Sequence, residues 1–217
     1  MKKSYVYLLT TFMLWGSLYV VSQFVLGKIP TFTVAMFRYL IAFIALSLIS
    51  LKTEKEKIEK SDYKYFFIMG FIGYFISVDC QLLGTKIAGG SMASLINSLN
   101  PVIISVMAMI ILNEKLEMNK IVGIVLSLAG VYMIIGTGAN IQFLGVLISF
   151  IAVIGWAFMS VISRKISNKY SALTLTKVSM LIATVCNIPV SFLEVQITHP
   201  LIQVDLGAVL GLIYMGV

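Results

Sequence analysis

Long apolar runs occur at regular intervals along the chain, and they constrain its fold more than any other feature. Each is close to the ~20 residues that an α-helix needs to cross the hydrocarbon core of a bilayer. An eighth apolar run begins near Leu206 and meets the last residue, Val217, after only 12 residues. The sequence therefore predicts an all-α membrane protein with seven complete helices and part of an eighth. Helices 1 to 7 are predicted at about residues 5–26, 31–51, 65–86, 91–112, 119–135, 142–162 and 171–193.

The composition separates this chain from soluble proteins and from enzymes of familiar types. It is 59% hydrophobic and 12% charged, with a mean hydropathy of +1.01, whereas about a quarter of the residues in soluble domains are charged. The sequence has no zinc-ligand spacing, P-loop or dinucleotide fingerprint, and His199 is its only histidine. Cys80 and Cys186 fall in different predicted helices, so they indicate no disulfide framework. We therefore expect no enzymatic activity, cofactor or bound metal.

Basic residues predict the orientation of the chain, since cytoplasmic loops of membrane proteins are enriched in lysine and arginine. With the N-terminus in the cytoplasm, twelve basic residues lie on the inner side, and two, Lys28 and Lys86, on the outer side. We therefore predict a multi-pass protein of the cell membrane with a cytoplasmic N-terminus, in contact with the lipid bilayer and not with nucleic acid. The inner residues are Lys2, Lys3, Lys52, Lys55, Lys57, Lys60, Lys64, Lys115, Lys120, Arg164, Lys165 and Lys169.

Polar residues at membrane depth mark the candidate site, because such residues are costly in lipid and usually face the interior of a bundle. From the helical rise, Arg38, Asp79 and Asn97 lie ~9–10 Å below the outer helix ends, and Asn100 lies ~14 Å below. Pro101 removes one helical hydrogen bond and should loosen helix 4 next to the two asparagines. We predict a cavity that binds a small-molecule substrate and is lined by Trp15, Arg38, Asp79, Asn97, Asn100 and Trp156.

Several of these residues have a second interpretation. Arg38 and Asp79 either form an ion pair between helices 2 and 3, or Asp79 handles substrate or a proton. The two asparagines either line the cavity or hydrogen-bond to neighbouring helices, and the two tryptophans either pack or bind ligand. We expect the charged connector 52–64 and Glu194 to be exposed to solvent.

An internal repeat is indicated by the two tryptophans of the chain, which lie 141 residues apart. Trp15 is followed by Val20-Val21-Ser22, and Trp156 by Val161-Ile162-Ser163. One unit would contain five helices, and an odd number of helices places the second copy upside down in the membrane, as in inverted-repeat transporters. We predict a first five-helix repeat at residues 1–138. The second, at 139–217, would hold helices 6, 7 and part of 8, cut off in its third helix.

Several short motifs occur along the first five predicted helices. They are Trp15-Gly16-Ser17, Phe37-Arg38-Tyr39, Asn100-Pro101, Asn113-Glu114-Lys115-Leu116, Gly123 and Leu128-Ala129-Gly130-Val131. Together these motifs resemble those of EamA-type transporters in the drug/metabolite transporter superfamily. This resemblance implies ten helices in two inverted five-helix repeats, a central substrate cavity, and export of small metabolites such as amino acids. On this basis the chain is expected to be truncated, since helices 9 and 10 would be missing.

We predict a secondary transporter that moves small metabolites by alternating access. No ATP-binding motif is present, so the driving force would be a gradient. An integral-membrane enzyme acting on lipids is a second interpretation, although it would need more Asp, His or Glu at the membrane surface. A non-transporting membrane scaffold is a third. A homodimer is compatible with all three.

Overall fold

The computed structural model describes residues 2–52, 56–114, 118–135, 142–200, 202 and 204–217, which form helices and no strand. Eight helical segments follow one another in the predicted order, so the predicted all-α membrane fold is confirmed. Within the described residues, six of them (all but α5 and α8) are long and apolar enough to cross a membrane. The segments are α1 Lys2–Leu26, α2 Thr31–Ser50, α3 Lys60–Ala88, α4 Gly90–Leu112, α5 Met118–Ile135, α6 Phe143–Ile166, α7 Ala172–Thr198 and α8 Leu206–Gly216.

Helices α3 and α4 are irregular. Within α3, a π-helical stretch, Met69–Ile76, separates the first segment, at residues 60–68, from the regular segment Ser77–Ala88. Helix α4 breaks after Asn97 and resumes at Asn100. Because Pro101 has no N–H, it cannot donate to the carbonyl of Asn97, and the predicted loosening of this helix is observed as a break.

The helices pack in pairs around a common interior. Helix α2 packs mainly against α7, α3 packs against α6, and α8 lies against α1 and α2. Helices α3 and α6 approach closely, because a Cβ on Gly145 would lie 2.7 Å from Cβ of Ala88. Helix α5 packs against the second half of α4. The predicted boundary between the two repeat units, at residues 138 and 139, lies outside the described residues.

At the end of the bundle where α2 begins, charged groups join α2, α7 and α8. The Glu194 carboxylate, on α7, accepts hydrogen bonds from the backbone N–H groups of Thr31 at 2.8 Å and Phe32 at 2.9 Å. Lys28 forms an ion pair with Asp205, which precedes α8. Glu194 is therefore not the solvent-exposed residue that the sequence suggested. It satisfies two of the amides that a helix leaves unpaired at its N-terminus.

At the opposite end, acidic residues of the connector between α2 and α3 dock on the turn between α6 and α7. The Glu56 carboxylate accepts a hydrogen bond from the backbone N–H of Ser171 at 3.1 Å. Asp62 pairs with Lys169 at 3.1 Å and accepts a hydrogen bond from the Tyr170 hydroxyl at 2.9 Å. The prediction of a solvent-exposed connector was therefore wrong for Asp62, which is buried, whereas Glu56 is exposed as expected although it makes this contact.

Candidate functional site

A cavity of about 590 Å³ lies inside the bundle, with walls from α1, α2, α3, α4, α6, α7 and α8. Five of the six predicted site residues line it, and Asp79 does not. Its lining is mainly apolar and aromatic, with a few polar side chains, as is common in sites for small molecules. The lining residues used below are Leu14, Trp15, Leu18, Tyr19, Arg38, Tyr39, Tyr74, Gln81, Asn97, Asn100, Trp156 and Ile213.

The two tryptophans meet on one wall of the cavity. The rings of Trp15 and Trp156 are 6.0 Å apart between centroids and nearly perpendicular. The Tyr74 ring lies 5.8 Å from that of Trp156, also edge to face. Tyr39 donates a hydrogen bond from its hydroxyl to the carbonyl oxygen of Tyr74 at 2.6 Å. The structure thus brings together, as one continuous aromatic wall, residues from α1, α2, α3 and α6.

The break in α4 places the two asparagines together at the cavity. Asn100 donates from Nδ2 to Oδ1 of Asn97 at 2.6 Å. This bond uses the side-chain carbonyl of Asn97, so the NH₂ group of Asn97 is left as its unused hydrogen-bonding group. The Oδ1 atom of Asn100 is buried and has no hydrogen-bond partner. The pair therefore offers a ligand one donor group, the NH₂ of Asn97.

Arg38, on α2, brings a positive charge to the cavity. Among the described lining residues it is the only one with a charged side chain. No salt bridge within the described part of the chain involves it. Its guanidinium interacts electrostatically with Tyr19, Tyr39 and Tyr74. The cation is half-buried and has no counter-ion.

Asp79 lies elsewhere, and the predicted ion pair with Arg38 is not formed. Only 4% of the Asp79 surface is exposed, and neither carboxyl oxygen has a hydrogen-bond partner among the described residues. The polar residues nearest to it are Asn187 and Glu194, both on α7. Equal depth did not bring the two charges together, because Asp79 faces α7 while Arg38 faces the cavity.

Sequence reasoning missed the tyrosines of the cavity. Tyr19, Tyr39 and Tyr74 all line it, and the Tyr19 hydroxyl is buried without a hydrogen-bond partner. A usable signal was the spacing of Tyr74, Val78 and Gln81, which recur at the four- and three-residue intervals of one helix face. All three line the cavity.

Residues 2–136 match the model of the EamA-like transporter family. The chain is also 28% identical to an uncharacterized transporter, YetK, of Bacillus subtilis, over 88% of this chain and 60% of that protein. An uncharacterized transporter of Clostridium kluyveri is 26% identical over 100% of this chain and 73% of its own length. One of Archaeoglobus fulgidus is 22% identical over 99% of this chain and 75% of its length.

The chain thus spans 60% of the length of the Bacillus protein. The family match covers α1 to α5, which supply most of the polar residues of the cavity. Apolar helices long enough to cross a membrane make the chain a multi-pass membrane protein. Together with the family match, they show that it belongs to the EamA-like transporter family.

Proposed function

We propose that this chain forms the substrate pathway of a secondary transporter, which exports small metabolites across the cytoplasmic membrane by alternating access. The observation that carries this proposal is the cavity between α1, α2, α3, α4 and α6. Its volume of about 590 Å³ lies within the ~300–1,000 Å³ of sites that bind small molecules. An aromatic wall and a few polar groups suit a ligand that is partly apolar and partly polar.

We also propose that residues 1–138 and 139–217 are inverted units, the second incomplete. Lys28 and Lys169 lie 141 residues apart, as do Trp15 and Trp156. Each lysine pairs with an aspartate near the start of α8 or α3. These helices would be equivalent in an inverted repeat, and the two ion pairs lie at opposite ends of the bundle. This correspondence supports the repeat independently of the tryptophans.

The helix caps support the same relation. Glu194, near the end of α7, caps the start of α2, and Glu56, after the end of α2, caps the start of α7. In the proposed mechanism, contacts at one end open while those at the other stay closed, so the cavity meets one side of the membrane at a time. A solute gradient would supply the driving force.

Transport by the reconstituted chain tests this proposal. Liposomes containing the purified chain and loaded with an unlabelled amino-acid mixture should accumulate the same radiolabelled compounds by exchange. Asn97→Ala should reduce that accumulation, because it removes a polar group from the cavity wall. Asn168→Ala, at an exposed position between α6 and α7, should leave it unchanged. Accumulation no greater than in protein-free liposomes, or equal in wild type and Asn97→Ala, would count against this function.

A further inference from the structure

We infer that the cavity selects small amphipathic monocarboxylates, with the carboxylate at Arg38 and the apolar body against Trp15 and Trp156. This inference rests on the proposed function, since it names the substrate class of the same cavity. It depends on three features of the described residues: an unpaired cation, an unused hydrogen-bond donor in the same cavity, and a predominantly apolar wall.

The charge of Arg38 is the first feature. A half-buried cation without a counter-ion is unfavourable, and an anionic ligand relieves that cost by pairing with it. No acidic side chain from the described residues lines the cavity to do so. The planar guanidinium presents parallel N–H groups that match the two oxygens of a carboxylate. The arrangement therefore favours an anionic head group over a cationic or neutral one.

The groups around Arg38 are the second feature. Tyr19 is 7% exposed, its hydroxyl has no partner, and it interacts electrostatically with Arg38. Asn97 retains its NH₂ group, because Asn100 already bonds to its Oδ1. The NH₂ group of Asn97 can therefore donate to a carboxylate, whereas the Tyr19 hydroxyl is buried behind the cavity surface and does not reach a ligand.

The balance of charge and apolar surface is the third feature. A phosphate monoester carries about −1.5 to −2 charges at neutral pH, so one arginine would leave part of that charge uncompensated inside the cavity. A carboxylate carries one charge and is matched by one guanidinium. The rest of the wall includes Leu14, Leu18 and Ile213 beside the two tryptophans. A short branched or aromatic body fits this surface better than a sugar, whose hydroxyl groups would lack partners.

Tryptophan fluorescence provides a direct binding assay, because the only two tryptophans of the chain both line the cavity. The purified chain would be titrated at neutral pH with 4-methylpentanoate, its neutral isostere 4-methylpentanamide, and isopentyl phosphate. We expect the carboxylate to bind at least about tenfold more tightly than the amide, as loss of a charge-assisted hydrogen bond implies. Isopentyl phosphate should bind more weakly than the carboxylate.

Variants assign the preference to Arg38. Arg38→Gln should weaken binding of 4-methylpentanoate at least about tenfold and leave binding of the amide unchanged, while Arg38→Lys should recover part of the loss. Arg164→Gln serves as the control, since Arg164 is exposed and pairs with Glu114 outside the cavity. If Arg38→Gln does not fold, the comparison of the three probes on the wild-type chain still tests whether the cavity prefers a monocarboxylate.

The outcomes separate this inference from the proposed function. Equal binding of carboxylate and amide, or tighter binding of the phosphate, would overturn the monocarboxylate class and leave the cavity as a small-molecule site. A carboxylate preference that survives Arg38→Gln would overturn the role of Arg38. Failure of all three probes to bind would overturn the inference, and transport in liposomes would then judge the proposed function separately.

Discussion

Arg38 and Asp79 show how two charged residues at similar depth acquire different surroundings. Arg38 faces the cavity, and its electrostatic neighbours are tyrosines. Asp79 is buried against α7, and both of its carboxyl oxygens lack hydrogen-bond partners. An unpaired ionised carboxylate is costly in such a place. Asp79 is therefore a position at which removal of charge should be tolerated.

Asp79→Asn should not lower the melting temperature of the purified protein at neutral pH. The amide cannot carry a buried charge, and it can donate to the unpartnered Oδ1 of Asn187. Because Arg38 and Asp79 form no salt bridge, the effects of Asp79→Asn and Arg38→Gln should add within about 0.5 kcal/mol. Thermal unfolding of both single variants and the double variant checks this. A double variant more stable than the sum of the single changes would show that the two side chains interact.

The helical rise predicts the depth of a residue in the membrane, but not the direction of its side chain. Of the four polar residues predicted at membrane depth, Arg38, Asn97 and Asn100 line the cavity and Asp79 does not. Rotation about the helix axis decides which face a residue occupies. In α3 the π-helical stretch Met69–Ile76 changes that rotation before Asp79 is reached. Depth alone therefore could not predict where Asp79 points.

Whole helices followed from the apolar runs, whereas their ends and irregularities did not. Helices α6 and α7 extend to Ile166 and Thr198, beyond the apolar runs, into segments that carry Arg164, Lys165 and Glu194. Contacts with other helices and hydrogen bonds stabilise their last turns. A hydropathy pattern does not predict such contacts, so it does not predict where these helices end. Glu194 caps an amide 163 residues away, and no local pattern reveals such a partner.

Because α3 packs closely on α6, we expect substitution of Gly145 to destabilise the protein. Gly145→Ala should lower stability by about 1–3 kcal/mol, since the added Cβ would lie 2.8 Å from the backbone nitrogen of Ala88. Gly16→Ala is the matched control, because nothing lies within 4 Å of a Cβ at that position. Thermal unfolding of the two variants under identical conditions gives the comparison. Equal melting temperatures would mean that the helices separate without cost.

The cap formed by Glu56 predicts a pH dependence at the start of α7. The Ser171 amide and the Thr174 hydroxyl hold the pKa of Glu56 below its ordinary value of 4.5. A carboxyl with a lowered pKa stabilises the fold above its unfolded value and loses that contribution as the pH falls through the folded value. The Ser171 amide should therefore exchange hydrogen more slowly in wild type than in Glu56→Gln at pH about 6.

That difference should disappear once the pH falls well below 4.5. Hydrogen–deuterium exchange measures the difference in the exchange rate of the Ser171 amide between the two proteins at each pH. The intrinsic pH dependence of exchange is the same in both proteins and cancels in this comparison. Glu114→Gln is the control, because its partner Arg164 is exposed and its carboxylate caps no amide of α7. A difference that persists unchanged in acid would show that Glu56 does not act through its charge.

Across the whole molecule, charge is distributed between two ends that are each closed by side-chain contacts. Lys28 and Asp205 meet at one end, and Lys169 and Asp62 meet at the other. Among the described basic residues, Arg164 and Lys169 lie near the connector, and Lys28 and Lys86 lie at the opposite end. This arrangement shows which residues share an end of the bundle. Labelling from one side of the membrane would show which end faces the cytoplasm.

We expect a cysteine at position 61 to be shielded from a membrane-impermeant thiol reagent in intact cells, and cysteines at positions 142 and 198 to react. The native residues Ser61, Gln142 and Thr198 are all exposed in the structure, so burial within the protein should not explain a lack of labelling. Cys80 and Cys186 are free and half-buried, and the parent protein measures their background. Labelling at position 61 but not at 142 or 198 would reverse the proposed topology.

The cap on α2 also bears on the order of events during synthesis. Thr31 and Phe32 emerge from the ribosome long before Glu194, which follows Thr31 by 163 residues. At a translation rate of roughly 5–20 residues per second, about 8 to 33 seconds pass before that carboxylate exists. Until then the first turn of α2 must rely on water or lipid head groups for its amides. The first helices therefore reach their final state only after α7 has been inserted.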